Sequence, residues 1–179
     1  MTTAPDGTVE FSRPLRLDRL ASGEVDVSHT ANQRECQDLA ARFGIPEVSA
    51  LSGTLTVRRA AGGMMIRVEG RVDAEVTQTC VVTLDRVANT VSQTFVQRYT
   101  LGNETDEGEV FASPDEEEAP EPLTSSYLDL GEILSEELAL ALDPHPRAPG
   151  ARFAGYSTDG DPEAAQSPFA VLAHLRHQS

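Results

Sequence analysis

The period of hydrophobic and polar positions changes several times along this chain, and each change marks an element. Phe11, Leu15, Leu17 and Leu20 come first, with Arg13, Arg16, Asp18 and Arg19 between them. The alternation over 11–17 predicts a strand, and Pro14 places it at a sheet edge because proline has no N–H for a ladder. Residues 23–27 read as a turn and a short extended piece. Over 28–43 the period becomes helical, with Ala31, Cys36, Leu39, Ala40 and Phe43 recurring on one face. Ser28 or Thr30 is the expected cap. Gly44 supplies a left-handed stop, and Pro46 prevents continuation.

From Leu51 the period is two. Leu55 and Val57 alternate with Thr54, Thr56 and Arg58, and Gly62-Gly63 marks a turn. Met64, Ile66 and Val68 alternate with Met65, Arg67 and Glu69; Val72, Ala74 and Val76 alternate with Arg71, Asp73, Glu75 and Thr77. Residues 80–84 are apolar on both sides and read as a more buried strand. Residues 91–101 form the last strand, with Phe95 and Tyr99 on one face. Four or five short strands joined by short turns predict an antiparallel meander; the strand count leaves open whether it closes toward a barrel. A second helix is predicted over 129–142, preceded by Ser125 or Ser126. Leu130, Leu134, Leu138 and Leu142 form its apolar row with Ile133 and Ala141 beside it, and Glu132, Ser135, Glu136 and Glu137 lie opposite. Asp129 and Glu132 in its first turn suit the helix dipole, and Pro144 and Pro146 end it. The expected fold class is α+β, an antiparallel sheet carrying two main helices. One domain spans 1–147, and 148–179 form a flexible linker and a short helix over 168–176 that opens on a proline.

Charge adds a feature that periodicity does not show. Among 179 residues, Lys+Arg is 14 against Asp+Glu 29, a formal charge of −15. Nine acidic residues and no basic ones fall between Glu104 and Glu121, with Pro114 and Pro120 among them. Such a stretch cannot bury enough apolar surface to offset its ordering entropy, so 103–122 is expected to be a mobile acidic loop. A chain this acidic is repelled by a phosphate backbone, and its field suits a basic protein partner. Asp115, Glu116, Glu117 and Glu118 are the expected electrostatic contacts, with Phe111 as an apolar docking point. Tryptophan is absent and aromatics are few, so the core must be largely Val, Leu, Ile, Met and Ala. The first residues show no basic n-region or apolar h-region, and no apolar run reaches the length of about 18 needed to cross a membrane. The expected setting is the cytoplasm, with Cys36 and Cys80 as reduced thiols.

Candidate chemistry is sparse. Cys36 and Cys80 are far apart, and His29, His145, His174 and His177 are scattered, which does not fit a zinc site of closely spaced ligands. There is no Gly-x-Ser-x-Gly elbow and no phosphate-binding glycine loop. In the apolar run 80–84, Cys80 is expected to be an inert thiol. Glu132, Glu136 and Glu137 read as a solvated helix face, and His145 as a cap on the helix end. No catalytic residue, metal or cofactor is expected. Arg13, Arg16 and Arg19, and Arg58, Arg59, Arg67 and Arg71, form two basic groups. Arg58, Arg67 and Arg71 fall on the polar side of their strands, without interleaved aromatics. A mixed-charge surface is the simplest reading of them, and direct RNA contact is the functional one.

Several segments, in one order, resemble the YceD family of large ribosomal RNA accumulation proteins. They are the run 11–20 with the helix end Leu39-Ala40-Ala41-Arg42-Phe43, the run 68–84 from Val68-Glu69-Gly70-Arg71 to Cys80-Val81-Val82-Thr83-Leu84, the helix and proline stop over 129–146, and the ending Ser167-Pro168-Phe169-Ala170-Val171-Leu172-Ala173. The chain looks like an alphaproteobacterial member. The resemblance implies a cytoplasmic, non-enzymatic factor needed for accumulation of large-subunit (23S) rRNA. Some members carry a second cysteine three positions after the one matching Cys80; Thr83 stands there in this chain, a departure that puts in doubt any metal or redox role inferred from those members. The expected partner is a basic ribosomal protein or a pre-ribosomal particle, with direct rRNA contact through Arg58, Arg67 and Arg71 as a second mode. An acidic interaction module unrelated to ribosomes, docking through 168–176, and a metal-dependent RNA-processing enzyme using Asp129 and Glu132 are the alternatives.

Overall fold

Phe11 is fully buried beneath the second helix. The computed structural model describes residues 9–101 and 120–152. Strand β1 (Pro14–Arg16) pairs antiparallel with β7 (Tyr127–Asp129), Leu15 opposite Leu128, as a separate two-stranded ribbon. A 3-10 turn (Leu17–Ser22) replaces the last part of the strand predicted over 11–17. Strand β2 (Val25–Thr30) follows, and only then helix α1 (Gln33–Phe43). Ser28 and Thr30, expected as caps, are strand residues facing solvent. The cap is Asn32, whose side chain accepts from the N–H groups of Arg34 and Glu35, while Glu35 accepts in return from the Asn32 N–H at 2.7 Å. This reciprocal pair outcompetes a hydroxyl cap placed earlier. Gly44 ends the helix in the left-handed conformation, as the sequence predicts.

Three long strands make the body of the fold: β3 (Glu47–Ala60), β4 (Met65–Thr79) and β5 (Arg86–Leu101). With β2 they form an antiparallel run, and β6 (Glu121–Leu123) joins β5 in parallel, giving the order β2-β3-β4-β5-β6. The sheet is open, with β2 and β6 at its edges, and does not close into a barrel. Gly62 and Gly63 take positive φ at the β3–β4 turn. The two runs predicted over 64–69 and 72–77 are one strand. Gly70 does not interrupt it, because the Phe95 ring of β5 lies over Gly70 and fills the place of its side chain.

Helix α2 (Leu130–Ala141) lies against the same face of the sheet as α1, and a single buried cluster joins both helices to the inward residues of β3, β4 and β5. Leu130, Leu134 and Leu138 are almost wholly buried, as their row predicts. Leu134 occupies space left by Gly53 on β3, and Gly131 lies against the backbone of Phe11. Burial of a leucine this complete contributes several kcal/mol, since truncation to alanine typically costs about 2–5 kcal/mol. The polar side of the helix departs from expectation. Ser135 and Glu137 are buried, the first donating to the Gly131 carbonyl at 2.9 Å and the second accepting from Gln97 Nε2 at 2.8 Å. Leu140 is instead exposed. The chain divides into two units, Met1–Ala148 and Pro149–Ser179. Of the second, only residues up to 152 are described, so the helix expected over 168–176 lies outside the described residues, as does the acidic segment over 102–119.

Candidate functional site

Strand alternation sends one set of side chains into the core and the other to the opposite, outer face of the sheet. Register then sorts the outer residues into cross-strand rows. One row is Arg58, Arg67 and Arg98 on β3, β4 and β5. The next is Asp26, Thr56, Glu69 and Val96, and the one after it Ser28, Thr54, Arg71 and Thr94. None of these residues is buried. The sequence predicts Arg58, Arg67 and Arg71 on the polar side of their strands, and the structure brings all three onto this face. It adds Arg98, whose place opposite Arg67 depends on a pairing register that strand periodicity alone does not give.

Carboxylates hold the guanidiniums of Arg58, Arg67 and Arg71 in place. Glu69 Oε1 accepts from Arg67 Nε at 2.6 Å and from Arg58 Nη2 at 3.3 Å. Arg71 Nε donates to Asp73 Oδ2 at 2.9 Å, and its Nη2 donates to Ser92 Oγ at 2.6 Å. The hydrogen bond from Arg67, and then that from Arg58, lowers the Glu69 pKa; Arg71 and Ser92 lower that of Asp73. These acids therefore stay ionised at neutral pH. Each bonded guanidinium has further donors, since arginine carries five N–H groups in a fixed fork. A shallow hollow of about 550 Å³ lies on the same face, its wall including Asp26, Ser28, Thr54, Thr56 and Arg71.

Other basic residues are spent on the fold. Arg13 pairs with Glu35 at 2.8 Å and stacks over Phe11 with its guanidinium 4.5 Å from the ring centroid. Arg16 pairs with Asp18. Arg59 donates to the carbonyls of Gly63 and Leu17. Arg42 binds Glu132 at 2.6 Å and Glu10 at 3.2 Å, joining α1 to α2. Asp129, the other carboxylate of the enzymatic alternative, caps α2 by accepting from Gly131 N at 3.0 Å and holds Arg13 N at 2.7 Å. Both acids serve the packing of the two helices and the N-terminal strand. Among the described residues, no group of three His, Cys, Asp or Glu side chains is placed to hold a metal ion.

Residues 80–84 do not form a strand. They turn sharply after β4, with Leu84 in the left-handed region (φ 61°), its N–H bonded to the Cys80 carbonyl and Cys80 N to Asp85 O. Apolar character on both sides misleads here: Leu84 is 77% exposed, while Cys80 is fully buried. The Cys80 sulfur accepts from Ala148 N at 3.2 Å and from Val82 N and Thr83 N at 3.4 Å. These donors, the Ala148 N–H first and the Thr83 hydroxyl next, lower the thiol pKa to about 6. Pro146 is buried beside this turn, its carbonyl accepting from Val81 N. Asp115, Glu116, Glu117, Glu118 and Phe111 lie outside the described residues.

A family model described as large ribosomal RNA subunit accumulation protein YceD matches residues 68–176. The chain belongs to the YceD family. The match takes in most of β4, the Cys80 turn, β5 with Arg98, the acidic segment, α2 and the apolar run near the end. Arg71 lies within it and Arg58 and Arg67 just before it. The YceD description links the family to accumulation of large-subunit rRNA. No curated protein and no solved structure matches the chain. Among the described residues, no helix is long and apolar enough to cross a membrane.

Proposed function

We propose that this YceD protein is a non-enzymatic, cytoplasmic factor of large-subunit assembly, which supports accumulation of 23S rRNA by engaging a basic ribosomal protein within a pre-ribosomal particle. The family match carries this reading. Charge distribution supports the partner. Residues 9–101 hold eleven arginines and eleven carboxylates, so the acid excess lies almost entirely downstream, concentrated between Glu104 and Glu121. A dense anionic segment attracts cationic ribosomal proteins from a distance and competes with RNA for them. The engagement of Asp129 and Glu132 in helix packing favours a holding role over hydrolysis.

Depletion of the protein is expected to lower the ratio of large- to small-subunit rRNA and the large-subunit peak of a ribosome gradient, with recovery on re-expression. Normal ratios and profiles under confirmed depletion overturn the assembly role. Reversing charge at Asp115, Glu116, Glu117 and Glu118 to lysine is expected to weaken capture of a basic partner by about tenfold or more at low salt, with the melting temperature unchanged. Equal capture by both forms, with the same insensitivity to salt, overturns the electrostatic part alone.

A further inference from the structure

Three arginines opposite one another in a sheet are an unfavourable choice for folding, because like charges directly across strands destabilise the pairing. Neighbouring strands lie about 4.8 Å apart, so the Arg58, Arg67 and Arg98 backbones span about 10 Å of the outer face. One carboxylate oxygen, on Glu69, serves two of them. Two rows away Arg71 is braced by Asp73 and Ser92, with hydroxyls of Ser28, Thr54 and Thr94 beside it. Side chains of Arg58, Arg67 and Arg71 are between three-tenths and just over half exposed (44%, 31% and 54%), fixed by their acids yet open to solvent.

We infer that this face, with Arg58, Arg67, Arg98 and Arg71 as its cationic groups, binds the phosphate backbone of helical RNA. Arginine forks match phosphate oxygens in pairs, and side-chain hydroxyls suit sugar 2′-OH groups. Phe95 and Tyr99 turn inward, and the three outer rows contain no aromatic residue on which an unpaired base would stack. That composition favours duplex over single strand, because double-stranded RNA is recognised through phosphates, 2′-OH groups and shape. The overall negative charge does not preclude it. Residues 9–101 are neutral in sum, and exposed charges more than about 10 Å away are largely screened at 0.1 M salt. The inference rests on the assembly reading only for the identity of the RNA met in the cell; the contact itself is tested on purified components.

The full chain is titrated against a fluorescein-labelled RNA hairpin of about 20 base pairs and a uridine oligomer of equal length, between about 50 and 200 mM KCl. The hairpin is expected to bind more tightly. The R58Q/R67Q/R98Q variant is expected to lose about tenfold or more in affinity, and its slope of log K against log salt to fall by a little under about three, since each phosphate neutralised contributes a little under one. Its melting temperature is expected to stay close to that of the unsubstituted chain, relief of like-charge repulsion offsetting the loss of the half-exposed Arg58 and Arg67 ion pairs to Glu69. R34Q, an exposed site on α1, is expected to bind as before. If the triple variant fails to fold, R98Q alone decides, with an expected loss of about threefold or more and a slope lower by about one. The inference is overturned by no hairpin binding at the lowest salt, by tighter binding of the single strand, by undiminished affinity in the deciding variant, or by polyglutamate competing as well as RNA. The last outcome would assign the face to an acidic protein.

Discussion

The sulfur of Cys80 is closed off from solvent, yet three backbone N–H groups point at it from the turn and from Ala148. In the C36S background, thiolate absorbance near 240 nm is expected to titrate with a midpoint of about 6, well below the ordinary value of 9.0. An acid whose folded pKa is depressed adds stability that is complete above its unfolded pKa and is lost as pH falls through the folded one. C80A is therefore expected to flatten the stability profile between pH 6 and 9. A midpoint near 9 would mean that the N–H groups do not stabilise the anion. Cys36 behaves oppositely, since burial raises its pKa. Glu35 gives a second residue-scale test. Its pKa lies below 4.5, chiefly through the hydrogen bond from Arg13. E35Q keeps the capping geometry and removes the charge. The variant is expected to be less stable by about 1 kcal/mol at pH 7, the difference vanishing as pH falls below 4.5 through the folded value. Denaturant melts at about pH 7 and at a series of lower pH values follow the loss.

At the level of elements, the sequence shows most where a simple period persists and least where a single residue breaks it. The leucine row of α2, the inward Phe95 and Tyr99, the Gly44 stop and the Gly62-Gly63 turn all follow from spacing and chain stereochemistry. That the runs 64–69 and 72–77 join through Gly70 is not visible locally, since the Phe95 ring that lies over Gly70 comes from another strand. Residues 80–84 mislead because apolar character is taken for burial, although backbone bonds to Asp85 and Pro146 close them into a turn. Ser135 and Glu137 read as solvent-facing because their partners, the Gly131 carbonyl and Gln97, are hidden from any local pattern. The arginine face is half legible: alternation places Arg58, Arg67 and Arg71, but only register places Arg98. Tightness at the α2 start can be tested. A Cβ at Gly131 would fall well inside contact distance of the Phe11 carbonyl, a backbone atom with little freedom to move. Gly131→Ala is expected to cost about 1–3 kcal/mol in urea unfolding despite its better helix propensity. An unchanged midpoint would show that the N-terminal strand yields at no cost.

Across the whole molecule, acid and base are segregated along the chain. A neutral N-terminal half builds most of the sheet, and the excess of carboxylates follows it. In the proposed role, this separation would let one chain offer an anionic segment to cationic proteins and a braced arginine face to phosphate, two demands that an evenly mixed surface would meet poorly. The β1–β7 ribbon has a further consequence for how the protein is made. Leu15 pairs with Leu128, and Arg13 N with the Asp129 carboxylate, partners separated by more than a hundred residues. At typical translation rates the N-terminal strand waits on the order of ten seconds for its partner to be synthesised. Until then the inner face of the sheet lacks α2, and Phe11 lacks the helix start that covers it. The nascent chain thus passes through a stage with an apolar surface open beside the exit tunnel. Completion of folding is coupled to synthesis of its last third.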